Sequence, residues 1–313
     1  MKTNKTIHQS KIKSCFTTIR KKYQLLLFLL PGLLAMIIFS YIPMGGILIA
    51  FKNYKIRDGI FGSEWIGFYN FYKMFTGLEF PRVLKNTIVI SLLKLAVGFP
   101  APIILALLIN EIHNSKFKKC VQTISYLPYF FSWVILGSIF TMVFSAEGPV
   151  NTILKSCGMK ESIIFFRSEG WFIFLLIVTH VYQSVGWGTV IYLAAISGID
   201  AAVIDAAKID GAGRFKQVIH VILPTILPTI TTVLILNLGS VLNAGFDQIY
   251  NLYNPTLYEV ADVLDTYVLK QLQDMNYSFG TAVGLFKSIV GVIFVLGSNW
   301  IVGKLSENEM GIM

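Results

Sequence analysis

Charged side chains are scarce in this sequence of 313 residues. Only 14% of the residues are Asp, Glu, Lys or Arg, whereas 55% are hydrophobic. Soluble globular proteins carry about 25% charged residues. The shortage of charge therefore excludes an ordinary soluble domain and predicts an integral membrane protein whose charges are gathered in loops.

Cysteine is also rare and does not follow a metal-binding pattern. The three cysteines, Cys15, Cys120 and Cys157, lie far apart, and no CxxC or Cys/His spacing is present. Protein metal sites of this kind depend on such spacing. We therefore expect isolated thiols and no metal centre.

Motifs for nucleotide binding and hydrolysis are missing. A phosphate-binding loop ends in Gly-Lys followed by Ser or Thr. Here the Gly303-Lys304 pair precedes Leu305, and Ser298 occupies the position of the first Gly. HExxH and GxSxG are absent as well. The sequence thus predicts a protein that is not an enzyme and has no nucleotide site of its own.

One pair of carboxylates could suggest acid–base chemistry. Asp262 and Asp265 are three residues apart in a segment rich in aromatic residues. A catalytic pair would need a neighbouring base or metal pattern, and the sequence shows none. A solvated helix face is therefore the favoured interpretation.

The net charge of +9 is high enough to suggest nucleic-acid binding. The basic residues, however, cluster beside apolar stretches, as anionic lipid and membrane topology require. We expect contact with a lipid bilayer and no nucleic-acid partner.

Six apolar stretches are long enough to cross the hydrocarbon core as helices, which takes about 20 residues. Closed β-barrels would alternate apolar and polar residues, and these stretches do not. The sequence predicts an all-α membrane protein with one six-span domain at 24–303, a basic cytoplasmic segment at 1–23 and a cytoplasmic tail at 304–313. The segment 1–23 could lie on the membrane as an amphipathic helix or remain a solvated tail. The predicted spans are Gln24–Phe51, Asn86–Asn110, Ile124–Phe144, Trp171–Ile196, Val221–Ala244 and Thr281–Val302.

The distribution of charge predicts the orientation. With both termini in the cytoplasm, the inner segments 1–23, 111–123, 198–220 and 303–313 carry 14 Lys or Arg and 6 Asp or Glu. The outer segments carry 10 Lys or Arg and 11 Asp or Glu. Cytoplasmic loops are enriched in Lys and Arg, so this orientation is favoured.

Polar residues inside the predicted spans are candidates for a transport pathway, because they are costly in hydrocarbon. His180, Gln183, Ser184 and Trp187 recur at helical spacing and share one face of the fourth span. Their amides and aromatic rings could bind sugar hydroxyls and sugar faces, or could simply connect helices. The pathway candidates are His180, Gln183, Trp187, Asn237, Asn243, Trp133 and Tyr129.

Two lysines, Lys94 and Lys287, also fall within predicted spans. We expect each either to pair with an acidic residue or to extend its ammonium group to the membrane interface.

The segment between the fourth and fifth spans holds the most specific motif. Asp200 is a predicted helix N-cap, and Gly211 and Gly213 can end the helix that follows. Asp205-Ala206-Ala207, then three residues, Gly211, nine residues and Val221-Ile222-Leu223-Pro224 resemble the cytoplasmic signature loop of ABC-importer permeases. The family pattern is Glu-Ala-Ala, three residues, Gly, nine residues, Ile-x-Leu-Pro, so Asp205 and Val221 replace Glu and Ile. The motif residues are Asp205, Ala206, Ala207, Gly211, Val221, Leu223 and Pro224.

The resemblance extends over about residues 20–305. The segments 59–71, 242–255 and 262–268 are similar to the maltose-permease-like oligosaccharide and polysaccharide subgroup, which works with lipoproteins in the uptake of pectin or complex glycans. It implies the type I ABC importer permease fold, in a bacterial cell membrane. The loop 200–224 would contain a cytoplasmic coupling helix that docks on a separate ATPase.

The same resemblance implies the partners. They are a second permease subunit, two ATPase subunits, an extracellular solute-binding lipoprotein and an oligosaccharide. The family favours a heterodimer of permeases, and a homodimer stays open. ATP and Mg would bind to the ATPases, and this chain would bind no cofactor.

Four residues of the third outer loop are candidates to face the lipoprotein or its sugar. They are Tyr250, Asn251, Tyr253 and Asn254. Two other functions remain possible from the residues alone, an ion-coupled sugar carrier and a membrane-embedded transferase.

Overall fold

The computed structural model describes residues 23–305, and most of these residues are helical. The predicted basic segment 1–23 and the predicted tail 304–313 lie outside the described residues, apart from Tyr23, Lys304 and Leu305. The α-helices are α1 (Tyr23–Met36), α2 (Ile42–Met44), α3 (Gly59–Gly62), α4 (Tyr69–Thr76), α5 (Glu79–Gly98), α6 (Pro100–Asn110), α7 (Ser115–Tyr126), α8 (Trp133–Val143), α9 (Pro149–Ser156), α10 (Glu169–Ser197), α11 (Ala201–Ile209), α12 (Arg214–Gln217), α13 (Leu223–Gly239), α14 (Phe246–Leu252), α15 (Tyr258–Ala261), α16 (Leu264–Gln273) and α17 (Tyr277–Leu305).

Shorter elements of other types connect these helices. Residues Ile37–Tyr41 and Val218–Ile222 form π-helices. The 3₁₀-helices are Gly45–Phe51, Leu127–Phe130 and Pro255–Leu257. Two compact units divide after Asn70.

The first unit contains the first predicted span and a small hairpin. Strand β1 (Lys52–Asn53) pairs antiparallel with β2 (Glu64–Trp65), with Lys52 opposite Trp65. The ring of Phe51 stacks on Trp65 with centroids 5.7 Å apart. The Asn70 side chain donates a 2.8 Å hydrogen bond to the Ala50 carbonyl and so fastens the segment after the hairpin to its base.

The second unit holds the remaining spans around three apolar clusters. One lies among α6, α10 and α13, where Ala106, Tyr192 and Ile226 are buried. Another packs Ile90 of α5 and Leu176 of α10 against the segment after α13. Helices that are apolar all round match membrane spans, and Trp300 at 66% and Ile293 at 62% remain exposed for lipid.

Within residues 23–305, five helical stretches pass as single membrane spans by length and hydropathy, and a bent helix pair gives a sixth. The single stretches are Leu27–Phe51, Glu79–Asn110, Glu169–Ser197, Arg214–Gly239 and Tyr277–Ile301. The all-α six-span prediction is therefore confirmed when the bent pair counts as one span.

The third predicted span is not the continuous helix expected over Ile124–Phe144. Helix α7 with its 3₁₀ extension and helix α8 meet at an angle of 103°. Pro128 lies in the 3₁₀ turn, and the Ser132 hydroxyl accepts from the Ile135 N–H to begin α8. A proline followed by a new N-cap stops one helix and starts another, and the apolar composition of the stretch conceals this.

Candidate functional site

The signature loop forms a short helix with a defined beginning and end. The Asp200 carboxylate accepts a 2.9 Å hydrogen bond from the Ala202 N–H, as predicted for an N-cap. At the other end, Gly211 has φ of +78°, which side-chain-bearing residues rarely adopt. The N–H groups of Gly211 and Ala212 bond to the carbonyls of Lys208 and Ala207, a Schellman ending.

The surface of this helix is open. Asp205 and Ala206 are exposed and Ala207 is half-buried. Asp205 forms a 2.8 Å ion pair with Lys208 that leaves both side chains more than half exposed. Ile209 is 86% exposed. An exposed helix with small and apolar residues can seat in the groove of a partner protein.

The rest of the motif lies in a continuous helical stretch rather than at a break. The stretch Arg214–Gly239 passes as one span and includes the π-helix Val218–Ile222. Val221 and Leu223 are half-buried, and Pro224 falls in the first turn of α13. The fifth span was predicted to begin at Val221, but the helical stretch begins seven residues earlier, at Arg214. Pro224 comes just after the π-helix Val218–Ile222, so the N–H that a proline lacks falls where the regular i→i−4 hydrogen bonding is already interrupted, and the helix can continue.

Several pathway candidates come together around one cavity of about 560 Å³. His180, Ser184 and Trp187 reach it from α10, and Asn237 reaches it from α13. Asn243 lines it from the segment after α13. The Asn237 amide donates 2.9 Å to the Val233 carbonyl of its own helix, so its side-chain oxygen can still accept a hydrogen bond.

The other three pathway candidates lie elsewhere. Gln183 donates 3.3 Å to the Phe131 carbonyl, next to the bend between α7 and α8. Tyr129 stacks on Trp187 with centroids 4.9 Å apart and planes at 9°. Trp133 lines a second cavity of about 550 Å³ together with Asn243 and Lys287. Tyr129 therefore supports a wall residue of the first cavity, whereas Gln183 connects two helices.

The four outer-loop candidates differ in exposure and bonding. Tyr250 is 45% exposed. The Asn251 amide donates to the Asp247 carbonyl one turn earlier in the chain. The Asn254 amide donates 2.7 Å to the Phe166 carbonyl, and its oxygen accepts from the Thr256 N–H. Asn254 thus fixes the loop, and Tyr250 presents the more open surface.

Tyr253 is half-buried beside Tyr258 and Asp262. Burial and then the nearby Tyr258 and Asp262 raise the pKa of the Tyr253 hydroxyl. The hydroxyl therefore stays protonated and remains a hydrogen-bond donor at neutral pH.

The carboxylates Asp262 and Asp265 are not a solvated face, contrary to the prediction. Asp262 is 3% exposed, accepts a hydrogen bond from Thr266 and forms a 2.9 Å ion pair with Lys270. Asp265 accepts from the Lys287 ammonium at 2.5 and 2.7 Å. The prediction failed because their basic partners lie up to 22 residues away. The prediction that Lys287 pairs with an acid is confirmed.

Lys94 forms no ion pair with an acid among residues 23–305, and it is buried rather than extended to solvent. Its ammonium donates 2.6 Å to the Ala244 carbonyl and also bonds to the Gln248 side-chain oxygen. The Gln248 amide in turn donates 2.7 Å to the Leu176 carbonyl and 2.7 Å to the Thr179 hydroxyl. This buried network joins α5, α10 and α14. Sequence reasoning missed Gln248, and only its position shortly after an apolar span could have indicated it.

Metal ligands are not grouped anywhere in residues 23–305. No three His, Cys, Asp or Glu side chains there lie close enough to hold an ion.

Known proteins are similar to this chain in both sequence and fold. A family model described as "Binding-protein-dependent transport system inner membrane component" matches residues 98–307. Protein LplB of Bacillus subtilis strain 168 is 42% identical over 95% of this chain and 94% of its own length. The polygalacturonan/rhamnogalacturonan transport system permease protein YteP of the same organism is 44% identical over 92% of this chain and 90% of its own length.

A solved structure has the same fold along nearly the whole chain. The crystal structure of a bacterial ABC transporter for import of the acidic polysaccharide alginate contains a chain with 37% identity. It superposes with a TM-score of 0.86 and covers 94% of this chain and 99% of that chain. The type I permease fold predicted from the signature loop is thereby confirmed. The chain belongs to the family of binding-protein-dependent transport system inner membrane components and is a permease component of an ABC importer.

Proposed function

We propose that the chain moves oligosaccharides inward across the bacterial cell membrane and that a separate ATPase drives it through the loop 200–224. The observation that carries the proposal is α11, an exposed helix of nine residues that bears the signature residues between two spans. The chain is a transport subunit, and the ATP and Mg bind to the ATPase.

The nature of the cargo is supported by the relatives. YteP is named for polygalacturonan and rhamnogalacturonan, and the structural neighbour is named for alginate. The first cavity suits sugars because it combines side-chain amides and hydroxyls with the exposed face of Trp187. Since Tyr129 stacks on one face of Trp187, the other face can stack on a sugar ring.

The same relatives support the partners. A second solved structure of the alginate transporter, with 36% identity, contains a periplasmic protein bound to an alginate pentasaccharide. For this chain the corresponding partners are a solute-binding lipoprotein, a second permease subunit in a heterodimer and two ATPase subunits. Tyr250 and its neighbours in the outer loop face the lipoprotein in this arrangement.

The distribution of charge supports the proposed orientation. The inner segments hold 14 of the Lys and Arg residues against 6 acidic residues, so the termini and the loop 200–224 lie in the cytoplasm. This places α11 on the side of the membrane where ATP is available.

The geometry suggests how force passes into the membrane. The N-cap and Schellman ending make α11 a defined unit, and only a few residues separate it from the helical stretch that begins at Arg214. Movement of α11 by the ATPase therefore shifts the cytoplasmic end of a span that lines the cavity. As a result, the cavity opens alternately to the outer and the cytoplasmic side of the membrane.

The docking proposal is tested by enlarging the contact residues. Replacement of Ala206 and Ala207 by Leu fills the space needed for close approach, and Gly211→Val opposes the positive φ that ends the helix. We expect both variants to lose most ATPase co-purification and most ATP-driven uptake. Both are measured with the full complex reconstituted in proteoliposomes.

Ala201→Leu is the matched control. Ala201 is exposed in the same helix but lies about 140° around the axis from Ala206. It should retain assembly and uptake. Normal assembly and normal uptake of the Ala206/Ala207 and Gly211 variants would contradict the proposal.

A further inference from the structure

Lys94 is a buried cation whose partners among residues 23–305 are neutral. Its side chain is among the buried polar groups of α5, and the residue is 5% exposed. The acceptors of its ammonium are the Ala244 carbonyl and the Gln248 amide oxygen. No carboxylate within residues 23–305 forms an ion pair with it. An ammonium has three N–H donors, so two neutral acceptors leave one donor free.

The cavity beside Lys94 has an unbalanced charge. Lys94 belongs to the lining of the first cavity, and no Asp or Glu among the described residues lines it. The other titratable residues in its wall are His180 and Tyr192, and neither is an acid that would be ionised at neutral pH. A positive group in a membrane-embedded wall without acidic residues creates a potential that attracts anions.

A second polar group near Lys94 is left without a partner. The Ser91 hydroxyl is buried and has no hydrogen-bond partner among the described residues. Ser91 lines the same cavity and precedes Lys94 by three residues, so the two side chains share a face of α5 about one turn apart. Buried polar groups are nearly always hydrogen-bonded, so an unpaired hydroxyl beside an unbalanced ammonium indicates a missing acceptor.

The backbone near the ammonium is shaped for close approach. Gly245 has φ of +86° and lines the cavity. A Cβ at this position would lie 2.9 Å from the Lys94 nitrogen. A side chain here would therefore crowd the ammonium, and glycine leaves space beside it.

We propose that Lys94 and the Ser91 hydroxyl form an anion-binding subsite in the cavity wall, which takes the carboxylate of an acidic sugar unit as it passes. A carboxylate has two oxygens and accepts from an ammonium and a hydroxyl at once. The subsite rests on the proposed function in oligosaccharide import and refines it, since the cargo then includes uronic acid units. The remaining polar wall, with Asn237 and Ser240, binds neutral hydroxyls.

A purely structural role for Lys94 does not account for these features. A neutral side chain could bond to Ala244 and Gln248 at lower desolvation cost, because removing an ammonium from water is expensive. Ionisable residues retained inside membrane proteins mark substrate and ion pathways. The positive charge is thus explained by a negative cargo rather than by helix packing.

The test compares an acidic cargo with its neutral counterpart. The full importer is reconstituted with its ATPase and binding protein, and ATP-driven uptake of a galacturonic acid trisaccharide and of its methyl ester is measured. For Lys94→Met we expect uptake of the acid to fall about tenfold or more, while uptake of the ester stays within about twofold of wild type. The ratio of the two uptakes removes any preference of the binding protein, because that protein is the same throughout.

The double variant Asp265→Ala/Lys287→Met is the matched control, because it removes the other span lysine together with its carboxylate partner and so leaves no new unpaired charge. It should change uptake of acid and ester by the same factor. Lys94→Arg gives a second comparison, for which the methyl ester is not required. This variant keeps the positive charge, so it should take up several times more of the acidic trisaccharide than Lys94→Met does.

The outcomes separate the subsite from the function. Equal loss of acid and ester in Lys94→Met, or no loss of either, overturns the subsite but leaves oligosaccharide import intact. Absence of ATP-driven uptake of both sugars in the wild-type importer overturns the proposed function itself. If Lys94→Met does not assemble, Lys94→Gln can be used in its place, because it retains a hydrogen-bond donor without the charge.

Discussion

Lys94 and Lys287 both lie inside membrane spans, yet their surroundings differ. Lys287 of α17 faces the Asp265 carboxylate at 2.5 Å, and both side chains are 24% exposed. Lys94 of α5 is more deeply buried, and within residues 23–305 it bonds to a carbonyl and an amide. A cation with a carboxylate partner is already neutralised within the protein, whereas one with neutral partners keeps its field for a ligand. A buried charge that has an opposite charge as its partner thus stabilises the fold, whereas a buried charge with neutral partners can still bind a charged ligand.

The largest expected effect comes from breaking the paired lysine. Asp265→Ala leaves the Lys287 ammonium partly buried without its carboxylate, so the free energy of unfolding should fall by about 2 kcal/mol. Thermal unfolding of the purified complex measures the loss. The double variant Asp265→Ala/Lys287→Met should recover most of the stability, and a double variant as unstable as the single one would contradict the pairing argument.

The next effect comes from giving Lys94 an acid. Gln248→Glu places a permanent carboxylate beside the ammonium and makes Lys94 resemble Lys287. Uptake of the acidic trisaccharide should fall about tenfold, which corresponds to roughly 1.4 kcal/mol, because the internal carboxylate competes with the cargo. Uptake of the methyl ester is the control, and an equal change in both sugars would speak against competition.

A smaller effect is expected from the network that holds Gln248. Thr179→Val removes the hydroxyl that accepts from the Gln248 amide at 2.7 Å. We expect a loss of about 1 kcal/mol in unfolding free energy. Thr189→Val on the same helix is the control, because the Thr189 hydroxyl donates only to backbone carbonyls. Equal losses in the two variants would show that the Gln248 contact adds nothing.

The smallest expected effect has opposite signs for stability and transport. Ser91→Ala removes a buried hydroxyl without a partner, so stability should stay within about 0.5 kcal/mol of wild type or rise. Uptake of the acid should nevertheless fall about two- to threefold, since one donor to the carboxylate is lost. A clear loss of stability would indicate that the hydroxyl has a structural partner, and unchanged uptake would remove Ser91 from the subsite.

The sequence predicts features that depend on nearby residues. The spans follow from continuous apolar length. The beginning of α11 follows from Asp200 and its end from Gly211, because helix caps depend on residues close in the sequence. The resemblance of the loop then extends these local features to the family fold.

Features that depend on distant residues could not be predicted. Lys94 and its acceptors are 150 and 154 residues apart in the chain. The carboxylate partner of Lys287 is 22 residues away in another helix. Hydropathy identifies both lysines as unusual but contains no information about which side chain meets them. The bend before α8 was missed for a related reason, since Pro128 and Ser132 occur within a stretch whose average composition is apolar.

The π-helix Val218–Ile222 sets the angular register of the span that follows it. A π turn contains one residue more than an α turn, and successive residues of an α-helix are about 100° apart. Deleting one residue from this segment would let the helix close as a regular α-helix and rotate α13 by about 100° relative to the signature loop. Asn237 and Ser240 would then turn away from the cavity they line. The extra residue therefore determines which side of the fifth span the passing sugar meets.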